Sequence, residues 1–200
     1  MKFWGMMMLI AITMPMIISC DGKTETTEVK DSAKVDTLLA YLQKIDSLRN
    51  NGHLFHIDVY EIGKLKSVYF DVYNITSKGE SAQYLNLKKD CGGQYYYDWE
   101  DAVLLQGEIK YFLAAADTII ANFDRPANHE ERYIYVTNDD IRLFSSAWEN
   151  RKWSANLSVD YKKKDATITL ERSDLDSLKK LLINGEKKII SLRANKKDSI

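Results

Sequence analysis

The sequence predicts an α+β fold in which antiparallel β meanders pack against amphipathic helices. Three observations carry this. Apolar residues recur at three- and four-residue spacing in three separated segments. Between those segments they alternate with period two. Short polar or glycine-containing clusters interrupt the alternating stretches at regular intervals.

The first helical segment runs from about Asp36 to Arg49. Val35, Leu38, Leu39, Leu42, Ile45 and Leu48 form its stripe, and Asn50-Asn51-Gly52 ends it. Alternation begins at Phe55-His56-Ile57-Asp58-Val59 and resumes through Val68, Phe70 and Val72. Ser77 to Ser81 is a turn, Tyr84 to Lys88 a return strand, and Cys91-Gly92-Gly93 a second turn before a strand over Gln94 to Tyr97. Asp98-Trp99-Glu100-Asp101 reads as the acidic first turn of a second helix, favoured by the helix dipole, with Leu105, Ile109, Phe112, Ala116 and Ile119 on its apolar face. The Arg125-Pro126 pair stops it. A second alternating region follows, with strands at Arg132 to Thr137, Ile141 to Trp148, Trp153 to Tyr161 and Ala166 to Leu170. The Lys162 to Asp165 run caps a hairpin, and Ser173-Asp174-Leu175-Asp176 opens a third helix. The β-then-helix block therefore occurs twice, as expected of a duplicated β-meander–helix unit. The sheets, or one continuous sheet, are expected to be covered by helices on one face. The single domain spans 35–195, with halves at 53–124 and 130–192.

The N-terminus is of another kind. Lys2 precedes an almost wholly apolar run from Met6 to Ile18, and Ser19 stands directly before Cys20. Thirteen helical residues reach only about 20 Å, short of a hydrocarbon core of roughly 30 Å. The layout is that of a secretory signal peptide over 1–19. All six methionines lie at or before Met16, a composition break at the same place. Residues 20–34 contain little that could be buried, so they read as a flexible tether.

Ile17-Ile18-Ser19-Cys20 resembles the lipobox of bacterial lipoproteins, with Ile17 where Leu is commoner. The resemblance covers the leader alone. It implies cleavage before Cys20, a diacylglycerol thioether on its sulfur, and acylation of the new amine, so that the partner is the lipid bilayer. It places the chain in the bacterial cell envelope, at the outer membrane in preference to the inner. Asp21, Glu25 and Glu28 resemble the surface-export signal of Bacteroidetes-type lipoproteins. An Asp directly after the cysteine also resembles the inner-membrane retention signal of proteobacteria, so the membrane face stays open. With Cys20 lipidated, only Cys91 is left and no intramolecular disulfide can form.

The formal net charge of −1 gives no electrostatic footprint for nucleic acid. No glycine-rich phosphate loop or nucleophile elbow is present. His53 and His56 stand three apart on a segment read as strand, where they face opposite sides, so neither they nor His129-Glu130-Glu131 make a metal site. No catalytic residue and no cofactor is assigned. The aromatic residues are the candidate binding set. Tyr95, Tyr97 and Trp99 share one face of a continuing strand, and Trp148 and Trp153 flank a hairpin tip. Such strips suit sugar rings or a protein partner. The leading expectation is a membrane-anchored, non-catalytic binding module for an envelope protein or glycan. The alternatives are an envelope glycan hydrolase using Asp98 or Glu100, which would need paired carboxylates across a cleft, and a structural accessory of an envelope complex.

Overall fold

The computed structural model describes residues 32–50, 52, 54–92, 99–148 and 152–197. Cys20 and residues 21–31 of the expected tether lie outside the described residues, as do Tyr95, Tyr97 and Asp98, whereas 32–34, read as tether, belong to the first helix. Residues 32–200 form one unit. Its element order is α1 (Ser32–Asn50), β1 (His56–Leu65), β2 (Val68–Ser77), β3 (Glu80–Asp90), β4 (Trp99–Leu104), α2 (Gln106–Asn122), β5 (Glu131–Val136), β6 (Arg142–Ala147), β7 (Ser154–Ser158), β8 (Thr167–Leu170) and α3 (Arg172–Lys197), with a 3₁₀ turn at Lys164–Ala166. The fold class is α+β. Strands β1–β4 form one antiparallel meander, here sheet 1, and β5–β8 a second, sheet 2. Among the described residues no helix is long and apolar enough to cross a membrane.

The helices exchange sheets. α2 leaves sheet 1 and packs on β5 and β6; α3 leaves sheet 2 and lies across β1, β2 and β3; the two helices pack on each other. One core results, in which Phe70, Leu85 and Leu87 of sheet 1 and Leu143 and Leu157 of sheet 2 meet Phe112 of α2 and Leu178 and Leu182 of α3. Two close approaches seat α3. A β-carbon at Gly185 would lie 2.8 Å from Leu85 Cδ1, and one at Gly63 would lie 2.8 Å from Leu181 Cδ2. Gly63 sits at the irregularity in β1 between Glu61 and Gly63, at φ +148°, a backbone state that L side chains rarely adopt.

Helices cover both faces of sheet 1, not one. α1 packs on the face away from α3 through Ile45 and Leu48, against Ile75, Ala82, Tyr84 and Leu105. This is why Ala82 to Leu87 is buried without interruption. Burial pushes the Tyr84 phenol up to about 12. β4 pairs with β3 only as far as Leu104 opposite Leu85. Beyond it, Tyr41 of α1 takes over the role of a strand: its hydroxyl donates to the Gln83 carbonyl at 3.1 Å and accepts from the Gln83 N–H at 2.9 Å. Arg193 of α3 donates to this hydroxyl at 3.0 Å, to Gln83 Oε1 at 3.2 Å, and to Gln106 at the start of α2.

The second helix begins later than the acidic cluster suggests. Trp99, Glu100 and Asp101 belong to β4, with Glu100 on the helix side and Asp101 exposed on the other. The acid that serves α2 is Glu108. Its carboxylate accepts from the Leu105 N–H at 3.1 Å and from the Asn138 N–H, in the β5–β6 turn, at 2.8 Å. Next to it Asp139 Oδ2 accepts from the Val103 N–H at 2.6 Å, on the free edge of β4. These carboxylates join the end of sheet 1 to the start of sheet 2. Burial raises the pKa of both, in spite of the backbone hydrogen bonds. Helix α3 starts at Arg172, and Asp174 reaches back to the Glu171 N–H at 2.7 Å while Lys66 pairs with it at 2.6 Å.

Replacing Gly185 with Val overpacks the α3–β3 contact and is expected to cost about 1–3 kcal/mol, read from urea unfolding. Because its folded pKa is raised, Glu108 contributes stability that is full below its unfolded pKa and is lost as pH rises through the folded value. The stability of the natural chain relative to Glu108→Gln should therefore grow as pH falls from neutral into the mildly acidic range. A gap that stays constant or shrinks would refute this.

Candidate functional site

The outer face of sheet 2, away from α2 and α3, has no described helix on it. Its outward side chains fall into rows set by the strand register. Val136, Arg142, Ser158 and Thr167 make one row; Ile134, Phe144, Asn156 and Thr169 the next; Arg132, Ser146 and Ser154 the third. Trp148 follows β6 at one end, and Tyr161 stands in the β7–β8 connection. A depression of about 330 Å³ runs over this face, lined by Arg132, Ile134, Arg142, Phe144, Ser146, Trp148, Ser158, Tyr161 and Thr167 among others. Arg142 and Trp148 are six residues apart along β6, so the depression is roughly 20 Å long. Ile134 is 59% exposed and Trp148 55%, and Val136 and Tyr161 are exposed too. An apolar patch gathered on one open face marks an interaction surface more often than single exposed residues do.

The face has its inward counterpart in two tyrosines. On β5, Tyr133 and Tyr135 turn toward the helices while Ile134 and Val136 turn out. The inward phenols have partners: Tyr135 donates to the Glu108 carbonyl at 3.4 Å, and Tyr133 accepts from Arg125 at 3.5 Å and stacks on Trp153 with ring centroids 5.3 Å apart. Burial raises the Tyr135 pKa.

Arg142 is the charged centre of the depression. Its guanidinium carbon lies 3.4 Å from the Tyr161 ring centroid. Its Nε is shielded from solvent and has no hydrogen-bond partner among the described residues. Arg132, at the far row, is tied to Glu130. Lys162 also approaches the Tyr161 ring, at 5.6 Å, and bridges to Asp140 at 3.4 Å, which raises its pKa.

Of the aromatic residues singled out in the sequence that are described, Trp148, Trp153 and Trp99, Trp148 alone lines this depression. Trp153 does not. It is 5% exposed, packs with Ala127 and Ala147, and donates from Nε1 to the Arg125 carbonyl at 2.9 Å, so it is a core residue. Trp99 lies on the other sheet, half-buried, edge-on to Tyr69 with Lys88 over its ring at 4.2 Å. Tyr95 and Tyr97 lie outside the described residues. Tyr161, Phe144 and Arg142 are functional candidates that sequence reasoning missed. The signal for Arg142 and Phe144 was their alternation with Ile141, Leu143 and Ser145 along β6; Tyr161 gave none, since it shares the phase of buried Ala155, Leu157 and Val159 and turns outward only because it lies beyond the end of β7.

Glu100 is held by Lys163, and Asp101 projects from the opposite side of β4, so these two carboxylates do not flank a common cleft. Among the described residues no three His, Cys, Asp or Glu side chains are grouped to hold a metal ion. His56 Nε2 meets Asp58 Oδ1 at 2.9 Å, and this hydrogen bond, with one from Asn74, lowers the Asp58 pKa. The chain continues from Asn74 to Gln83 and Arg193 beside a smaller depression of about 220 Å³. Each of these groups already has a partner. Cys91 is half-buried, its Sγ 3.8 Å from the Lys89 carbonyl. Comparison of the chain with protein-family models, with curated proteins and with solved structures finds no match.

The two tryptophans should separate cleanly in unfolding experiments. Trp153→Ala is expected to cost about 3–5 kcal/mol, as for a buried aromatic. Trp148→Ala should stay within about 0.5 kcal/mol of the natural chain. Equal losses would place Trp148 in the core and remove it from an open face.

Proposed function

We propose that this chain is a lipid-anchored envelope protein whose folded unit is a non-catalytic binding module, and that the outer face of sheet 2 is its binding face. The observation that carries the reading is Arg142, an ion with no acidic partner among the described residues, held on Tyr161 in a depression rimmed by exposed Trp148 and Ile134. A folded chain gains nothing by leaving a partly desolvated guanidinium unpaired next to solvent-facing rings. A ligand that occupies the depression would supply what is missing. The anchor half of the reading rests on the resemblance of Ile17-Ile18-Ser19-Cys20 to a lipobox. Lipidation there would leave the folded unit on a tether, free to present sheet 2 to the envelope.

Two measurements test the two halves. Cys20→Ser should abolish incorporation of labelled fatty acid and release the protein from sedimented membranes; retention of label would remove the anchor. A photo-crosslinking residue placed at Ile134 or Trp148 should give a discrete adduct in intact cells, and the same residue at Asp117 of α2 or Asp176 of α3 should not. Adducts from the helical positions alone would put the binding face elsewhere.

A further inference from the structure

Building on the reading of sheet 2 as the binding face, we infer that its ligand is an anionic saccharide chain, with Arg142 holding the acidic group. Arg125, Arg132 and Arg172 each meet a carboxylate, and Arg193 meets three acceptors. Among the described residues Arg142 has neither, as is also true of Arg49 in α1, and its contact is the Tyr161 ring at 3.4 Å, against 6.0 Å from Arg49 to the Tyr84 ring. Stacking fixes the guanidinium plane and shields Nε, which leaves a planar fork of donors with its charge uncompensated. That is the geometry that takes a carboxylate or a sulfate through paired hydrogen bonds.

The rest of the face selects the saccharide. Its apolar strip, Ile134 and Val136 on β5 with Phe144 beside Ile134, follows the edge of the sheet, and across the sheet lie the amide of Asn156, the hydroxyls of Thr167 and Thr169, and the buried hydroxyl of Ser158. Thr167 donates to Ser158 at 3.0 Å and Thr169 to Asn156 at 3.1 Å. A hydroxyl so engaged still has capacity to donate or accept. A protein partner is best met by a broad apolar centre inside a polar rim. Here the outward side chains alternate along β6 and into the residue after it, Arg142, Phe144, Ser146 and Trp148, and the polar groups of β7 and β8 run beside them. Sugar rings present the same alternation, with C–H faces for the aromatic rings and hydroxyl edges for the polar ones. Trp148, at the end of the roughly 20 Å depression opposite Arg142, provides a flat ring for a sugar away from the acidic one.

The test is calorimetric titration of the full chain, purified in detergent, with polygalacturonate and its carboxyl-reduced galactan, and with dextran sulfate and dextran. The expected result is binding to polygalacturonate, to dextran sulfate or to both, with neither neutral parent bound. The pair that responds distinguishes a carboxylate from a sulfate. Arg142→Gln should weaken that binding about tenfold or more. Arg142→Lys should restore only part of it, since the ammonium keeps the charge and loses the fork. Trp148→Ala should weaken binding with the melting temperature unchanged. Neutral polymers bound as well as charged ones, or Arg142→Gln binding like the natural chain, would overturn the proposal while leaving a binding face in place. Failure of all four polymers to bind would overturn it as well, and the crosslinking at Ile134 and Trp148 would then decide whether the face binds anything else.

Discussion

On the faces that meet α2 and α3, neither sheet has a core of its own. Each is followed in the chain by a helix that covers the other sheet, and the two helices meet between them. Folding one meander therefore cannot bury its own apolar face; Phe70 and Leu87 wait for α3, and Leu143 and Leu157 wait for α2. The arrangement ties 32–200 into one compact unit although the strand pairs of the described residues are all between neighbours in the chain. It also explains why α3, the longest helix, carries close contacts at both Leu181 and Gly185. Those positions set its distance from sheet 1, and with it the space left for α2.

Exchange of helices requires the chain to pass from one sheet to the other without leaving polar backbone exposed in the joint. Glu108 and Asp139 meet that requirement. Between them they accept three backbone N–H groups, from the β4 edge, the start of α2 and the β5–β6 turn. Burial makes both costly as anions and is the main origin of their raised pKa values, with the charge of Asp139 raising that of Glu108 further and the charges of Asp101, Asp140 and Asp46 raising that of Asp139 further. The joint is thus better suited to mild acid than to alkali. The Arg193 cluster does similar work at the other end, tying α1, β3 and α2 to the last helix.

The two sheets end up in different surroundings. Sheet 1 lies between α1 and α3, and its middle strand is buried on both faces. Among the described residues sheet 2 has helices on one side alone, so its outward rows, with Ile134, Phe144, Arg142 and the β7–β8 hydroxyls, are open to something outside the folded unit. The difference follows from one extra element at the start of the folded unit. α1 precedes sheet 1 and has no equivalent over the outer face of sheet 2 among the described residues.

By itself the sequence determined what is local: the α+β class, the three helices, and the two alternating regions, because spacing of apolar residues and turn chemistry act over a few neighbours. It determined equally that the first nineteen residues differ in kind from the rest. Its reading went wrong at β4, where Asp98 to Asp101 satisfied the rule for a helix start. The true cap acid, Glu108, is recognised only when Asn138 arrives from thirty residues away. It also could not separate Trp148 from Trp153, which flank the same turn. The tertiary structure decided that, since Trp153 has the Arg125 carbonyl for its N–H and Tyr133 for its ring, while Trp148 has open solvent. The phase of β5 was decided in the same way. Either side of that strand could have gone inward by hydrophobicity, and the tyrosines did so because partners for their hydroxyls wait on α2 and at Arg125. Burial of polar groups depends on long-range partners, and a linear pattern does not contain them.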